Sequence, residues 1–187
     1  MEQQVLSYLL RSGGDYYIDA TVGSGGHAEA IMQATQPDGR LLGIDADPSA
    51  VQAAASRLDT FGDRVTLTNA NFADMSDVVR ASGFCNPSGI LMDLGFSSPQ
   101  IDDPERGFSF RTEGPLDMRY DPKTGLSAGD VIAKLSEKEL ARIIFEFGGE
   151  RKSRRIAHYI VQRRAKKPFE TTIDLANTIS RAVKQKR

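Results

Sequence analysis

Short apolar runs alternate with segments of helical period over the first two thirds of the chain. Tyr16-Tyr17-Ile18-Asp19-Ala20-Thr21 reads as a first strand that closes on a glycine-rich turn, and His27 to Thr35 as a helix. Arg40 to Asp45 reads as a second strand and Pro48 to Leu58 as a helix with proline in its first turn. Arg64 to Thr68 gives a third strand, Ala73 to Ala81 a helix, and Gly89 to Asp93 a fourth strand. Near-continuous apolar strands separated by helices predict a parallel sheet covered on both faces. The pattern breaks after Leu94. Roughly 30 residues, Gly95 to Gly125, are rich in Gly, Pro, Asp and Ser and show no period, which marks a functional or disordered loop. Helical spacing returns at Leu140, Ile143, Ile144 and Phe147, and again at Ala176, Ile179 and Val183. Between them, Arg151 to Lys167 reads as a strongly basic helix. The organisation expected is therefore α/β over 1–94, a loop over 95–125 and a helical module over 126–187. An open doubly wound sheet usually has at least about five strands, and only four are recognisable here.

Charge sharpens this division. Residues 1–149 hold 12 Lys and Arg against 22 Asp and Glu, a net of −10, whereas residues 150–187 hold 12 against 3, a net of +9. A basic end beside an acidic body suits a polyanionic partner; a well-solvated helix surface is the plainer alternative. No apolar run is long enough to span a membrane. The first residues, Met1 to Arg11, lack the apolar core of a signal peptide, so the cytoplasm is the expected compartment. A single cysteine, Cys85, excludes an internal disulfide and a multi-cysteine zinc site.

Two segments carry candidate chemistry. Asp19-Ala20-Thr21-Val22-Gly23-Ser24-Gly25-Gly26-His27 lies where a strand gives way to a helix. Glycines there allow a sharp turn and close approach of a ligand to the main chain. Asp45 ends the next strand, where an acidic side chain can accept hydrogen bonds from ribose hydroxyls. The pair suits an adenosine-containing cofactor. Gly23-Ser24-Gly25-Gly26-His27-Ala28 also fits the G-x-G-x-x-A dinucleotide fingerprint, so a nicotinamide cofactor stays open. Asp19, at the end of the first strand, favours S-adenosylmethionine, because a carboxylate there suits that cofactor's ammonium group.

The second segment, Asp93-Leu94-Gly95-Phe96-Ser97-Ser98-Pro99-Gln100, starts at the carboxyl end of the fourth strand, the edge at which open α/β sheets bind ligands. An exocyclic amine is a poor nucleophile because its lone pair is delocalised into the base. Methylating it requires acceptors that hold the N–H bonds and aim the lone pair. Asp93, Ser97, Ser98 and Gln100 are the candidate catalytic residues, while Ser97 and Ser98 read equally as turn and cap residues.

Both segments resemble the motifs of the bacterial ribosomal RNA small subunit methyltransferase H family, also called MraW. Asp93 to Asp102 is similar to its second signature, completed by Arg106-Gly107-Phe108-Ser109-Phe110 and Gly114-Pro115-Leu116-Asp117-Met118-Arg119. The resemblance runs from about Val5 to the end. It implies a Rossmann-like class I methyltransferase sheet with a helical insertion after the fourth strand. It also implies N4-methylation of a cytidine in small-subunit ribosomal RNA, with S-adenosylmethionine as donor. By position, Gly25, Gly26, His27, Asp45, Phe72, Asp93 and Gln100 match the family's cofactor-contacting residues, and Asp19 joins them. Phe72 would pack on adenine or, more plainly, in the core. The family's opening His-x-Pro-Val-type segment is reduced here to Gln4-Val5-Leu6, and its later strands do not appear, so the expected sheet is partial.

Arg151, Lys152 and Arg155 are the candidate RNA contacts, with Arg151 and Arg155 one helical turn apart. His27 with Asp19 lacks a third ligand for a metal, so none is expected. Asp102, Asp103, Asp117 and Asp121 read as turn residues and His158 as a surface or packing residue. Direct transfer to the amine, without an enzyme-linked intermediate, is the expected mechanism, since Cys85 precedes the fourth strand. Two rivals remain: a nicotinamide-dependent oxidoreductase and an RNA-binding fragment without catalysis.

Overall fold

Four short parallel strands form the first unit: β1 (Tyr16–Asp19), β2 (Arg40–Asp45), β3 (Val65–Asn69) and β4 (Gly89–Leu91), in the order β3-β2-β1-β4. The structure, a computed structural model, describes residues 2–10, 15–84 and 86–184. Met1, Arg11 and Cys85, which entered the sequence reading, lie outside them. Contacts divide the chain into two units, 1–95 and 96–187.

Side chains alternate across the sheet of the first unit. Tyr17 and Leu41 face one side, packing with Ile31 and Met32 of α2 (Gly26–Ala34) and Ala54 and Leu58 of α3 (Pro48–Leu58). Leu6 and Leu9 of an amino-terminal helix, α1 (Glu2–Leu9), join that cluster. Ile18, Leu42 and Ile44 face the other side, with Val78 and Val79 of α4 (Met75–Ser82). Burial of both faces explains why the middle of β1 and β2 is apolar. The unit is α/β with a Rossmann-like, four-stranded parallel sheet.

The strand ends differ from the sequence reading. β1 stops at Asp19 rather than Thr21, and β4 at Leu91 rather than Asp93. The backbone beyond them stays tied: Ala20 N–H donates to the Leu91 carbonyl (2.9 Å) and Val22 N–H to that of Ile44 (2.9 Å). The chains thus splay at the carboxyl edge without losing their hydrogen bonds. The predicted helix starting at Ala73 begins instead as a 3₁₀ turn over Phe72–Asp74, capped by Asn71.

The second unit contains α5 (Ser98–Asp102), α6 (Ala128–Lys134), α7 (Glu137–Glu146), α8 (Ser153–Arg164) and α9 (Thr172–Lys184). Three of them start with a serine capping box: Ser97 with Gln100, Ser127 with Asp130, and Ser136 with Glu139. Leu116, Ile132, Leu140, Ile156, Ile160 and Ala182 form the core, flanked by half-buried Ile143, Ile144, Ile179 and Val183. Phe147, expected on the inward face of α7, is 82% exposed because the helix ends there, with Phe147 as its cap.

Two further features correct the sequence reading. The aperiodic segment after Gly95, read from the sequence as a functional or disordered loop, contains short helical elements. Besides α5 it holds a 3₁₀ turn, Pro104–Arg106, crossed closely by residues 114–117. A Cβ on Gly107 would stand 2.1 Å from the Pro115 carbonyl oxygen, and one on Gly114 2.0 Å from that of Pro104. Arg106 locks the crossing by donating to the carbonyls of Arg119 (3.0 Å) and Tyr120 (2.8 Å). Gly114→Ala should therefore destabilise this unit by about 1–3 kcal/mol, measured as a lower unfolding midpoint. An unchanged midpoint would mean that the crossing relaxes freely.

The basic helix starts at Ser153, not Arg151. Glu150 holds a turn by accepting the Lys152 N–H on its carboxylate (2.6 Å) and the Ser153 N–H on its carbonyl (3.1 Å). Arg151 and Lys152 therefore precede α8 and share no helical face with Arg155. Lys152 Nζ donates to the Val183 carbonyl (3.0 Å). At the other end, Arg163 pairs with Asp174 (2.6 Å) and lies over Phe169, and Arg164 donates to the Ile132 carbonyl. Part of the basic charge is thus structural.

Candidate functional site

In a parallel sheet every carboxyl end emerges at one edge, so Asp19, Asp45, Asp93 and the turn before α2 meet there by topology. Asp19 is 1% exposed. Its Oδ1 accepts the Thr21 N–H (3.2 Å), while its Oδ2 is buried with no hydrogen-bond partner. Burial pushes this carboxyl up to about 6. The Thr21 hydrogen bond and His27 oppose the rise, and Asp45 and Asp93 add to it. A buried oxygen left without a donor costs free energy unless something else supplies one. An ammonium group would do so.

The turn from Val22 to Gly25 closes by a hydrogen bond from Gly25 N–H to the Val22 carbonyl (2.8 Å). Gly25 sits at the cap of α2 with φ 85°, a left-handed conformation, and makes no side-chain cap. A Cβ there would meet Ala54 and Leu58 only in ordinary van der Waals contact at 3.4 Å, so the left-handed backbone is what calls for glycine. The first amides of α2 are left facing the edge, a disposition suited to a carboxylate or another anion. Gly25→Ala should destabilise the first unit by about 1–2 kcal/mol and weaken cofactor binding. Calorimetry and thermal unfolding would show both, and retention of both would remove Gly25 from the site.

Asp45 carries more structure than its spacing indicated. Its Oδ2 accepts the Gly23 N–H (2.8 Å) and its Oδ1 the Asp47 N–H (2.9 Å). It therefore clamps the glycine turn to the end of β2. Each carboxylate oxygen keeps a second lone pair, so a ribose acceptor role is compatible with the clamp. Asp47, buried at 1%, caps α3 through Ser49 N–H (2.9 Å), a role the sequence reading missed although an Asp-Pro pair at a helix start signals it.

Asp93 is exposed, and its N–H donates to Thr21 Oγ1 (2.8 Å). Its Oδ2 stands 3.6 Å from His27 Nε2. Thr21 was overlooked as an organiser, since only tertiary contact reveals a bond across 72 positions. Phe72 follows β3 at the same edge; it is 42% exposed and belongs to neither core cluster of this unit.

Ser97, Ser98 and Gln100 belong to the second unit. Ser97 Oγ accepts the Gln100 N–H (3.4 Å) and Gln100 Oε1 accepts the Ser97 N–H (3.1 Å). Gln100 is buried and Ser98 exposed. Helix capping thus occupies Ser97 and engages Gln100. Of the Asp-rich loop, Asp103 and Asp121 hold turn amides and Asp117 pairs with Arg119, which keeps its carboxyl below the usual range. His158 pairs with Glu137 (3.2 Å) on the surface. Among the described residues no three His, Cys, Asp or Glu side chains are grouped as metal ligands, and no helix is long and apolar enough to cross a membrane.

The glycine turn, the buried orphan carboxylate of Asp19 and the second acid, Asp45, on the next strand meet at the carboxyl edge of a parallel Rossmann-like sheet, where open α/β sheets bind ligands. The chain belongs to the MraW methylase family, which matches residues 1–187. Its relatives include proteins named ribosomal RNA small subunit methyltransferase H. That of Syntrophobacter fumaroxidans is 49% identical over 98% of this chain and 57% of its own length. That of Geotalea uraniireducens is 46% identical over 98% and 59%, and that of Dehalococcoides mccartyi 49% identical over 91% and 48%. The chain therefore spans about half to three fifths of the curated relatives it matches.

Proposed function

We propose that the chain carries the cofactor site of an S-adenosylmethionine-dependent methyltransferase that modifies the exocyclic N4 of a cytidine in small-subunit ribosomal RNA, in the cytoplasm. The observation that carries this reading is the buried, partnerless Oδ2 of Asp19 beside the α2 amino terminus. Asp19 would receive the cofactor's ammonium, and the first amides of α2, at Gly26 and His27, its carboxylate. Asp45 would accept a ribose hydroxyl, and Phe72 would cover the adenine. Bound there, S-adenosylmethionine supplies an activated methyl group on a sulfonium.

The chain's own contribution to the reaction would be positional. The carboxylate of Asp93, fixed through its backbone by Thr21, would accept an N–H of the cytosine amine and leave the nitrogen lone pair facing the methyl. His27 would steady that carboxylate from 3.6 Å. Ser97 and Gln100 would shape the turn after it, and Ser98 would remain open to substrate. Arg151 and Arg155 would meet phosphates, with Lys152 contributing less because its amine is already held by the Val183 carbonyl.

Transfer of labelled methyl from S-adenosylmethionine to small-subunit ribosomal RNA, with nucleoside mass spectrometry, tests the reading. N4-methylcytidine is the expected product. A methyl on a ring carbon or ribose oxygen would refute the amine chemistry. Preferential binding of a nicotinamide cofactor would instead favour an oxidoreductase, and RNA binding without transfer a non-catalytic role.

A further inference from the structure

Lys138, Arg142 and Phe145 recur at spacings of four and three along α7, so they share one face of that helix. Across from them lie Arg151, Ser153 and Arg154, at and just before the start of α8, and together these residues line a groove of about 1090 Å³ within the second unit. Its acids are already engaged. Glu137 pairs with His158, Glu139 closes the Ser136 capping box, and Glu146, beyond the lining, pairs with Arg142. Lys138, Arg151 and Arg154 have no carboxylate partner among the described residues. Phe145 stands in this basic frame with 57% of its surface exposed, on the solvent side of a helix whose Leu140 and Ala141 are buried.

We infer that this groove binds single-stranded RNA, with Phe145 stacking on one unpaired base and Lys138, Arg151 and Arg154 holding the flanking phosphates. The inference rests on the RNA reading of the proposed function and gives it a site. Lys138, Arg142, Arg151 and Arg154 outnumber the lining carboxylates Glu137 and Glu139, and a cationic excess of this kind suits a polyanion. An exposed ring among them adds what a duplex cannot use, because duplex bases are stacked on one another and present no free face. An extruded or single-stranded base does present one. The groove differs from the surface that the sequence suggested: of Arg151, Lys152 and Arg155 it takes in only Arg151, while Lys152 donates to the Val183 carbonyl and Arg154 and Lys138 join in their place.

The signature of stacking differs from that of charge, and this makes the assignment testable on the whole chain. Fluorescence anisotropy with a labelled 12-nucleotide single strand of mixed sequence (about one site size), with its abasic counterpart and with the matching RNA duplex, gives affinities over a series of salt concentrations. Phe145→Ala should weaken single-strand binding by about 5- to 100-fold, leave the salt slope unchanged and have no effect on the abasic strand. Phe145→Tyr should retain the affinity. Arg151→Glu with Arg154→Glu should flatten the log–log salt slope by roughly 0.7 for each lost contact. Phe147→Ala, altering an exposed ring that does not line the groove, should change nothing. Equal binding of duplex and single strand, with Phe145→Ala silent, would reduce the groove to a phosphate surface and overturn the inference; so would equal losses at Phe145 and Phe147. Calorimetry with S-adenosylhomocysteine on the same proteins reads the first unit separately. Failure of the unmodified chain to bind that cofactor would sink the methyltransferase reading and leave the groove result standing.

Discussion

Asp19→Asn should make the cofactor-free chain more stable at neutral pH while abolishing its binding of S-adenosylmethionine. A carboxyl whose pKa stands at about 6 in the fold against 3.8 outside it is protonated more readily folded than unfolded. Its contribution is greatest below pH 3.8 and is lost as pH rises through about 6, a difference of about 3 kcal/mol. At pH 7 the native carboxylate is therefore a burden that the amide would lift, raising the unfolding midpoint by an amount worth about 1–3 kcal/mol. The cofactor's ammonium needs the charged form. Affinity should accordingly climb between pH 5 and 7, with proton release detectable by calorimetry in buffers of different ionisation enthalpy, and both effects should vanish in the variant. Tight, pH-independent binding by Asp19→Asn would show that the ammonium lies elsewhere.

Asp93→Ala should reduce methyl transfer by about 100-fold or more, the scale expected when a reacting group loses its alignment. The loss should appear in the transfer step rather than in folding, because the Asp93 side chain is 64% exposed and its structural hydrogen bond to Thr21 comes from the backbone. Single-turnover rates with saturating RNA would isolate that step. Full activity in the variant would pass the amine-holding role to another acceptor. Thr21→Val offers a complementary check: it keeps the Asp93 carboxylate but removes the oxygen that fixes its backbone, and should give a smaller loss of the same kind.

The sheet was legible because its determinants are local. Tyr17, Ile18, Leu41 and Leu42 are buried on both faces, and continuous apolar runs between helices can mean little else. The order of the candidate site was legible for the same reason, since parallel strands bring their ends together. What local spacing could not show was partnership. Asp45 looked like a free acceptor, yet it holds the Gly23 amide from 22 positions away. Residues 95–125 showed no period because their regularity lies in two chain segments passing within van der Waals range at Gly107 and Gly114. Arg151 matched a helical spacing that the Glu150 turn interrupts. α1 was missed because eight residues at the chain start, without a capping signal, give too little period to stand out.

Pro115 and Thr171 pair as an isolated antiparallel bridge, which joins the loop to the start of α9. Thr172 also reaches back, its N–H to the Gly114 carbonyl (2.9 Å) and its hydroxyl to that of Thr112 (3.2 Å). During synthesis the first unit has all four strands once Leu91 has emerged, and domains fold as units in order of emergence. The glycine crossing closes on residues up to Tyr120, but its pairing with Thr171 and Thr172 must wait for those residues. For the time the ribosome needs to add some sixty residues, a few seconds to about ten at ordinary elongation rates, residues 112–115 are out without the partners that Thr171 and Thr172 supply.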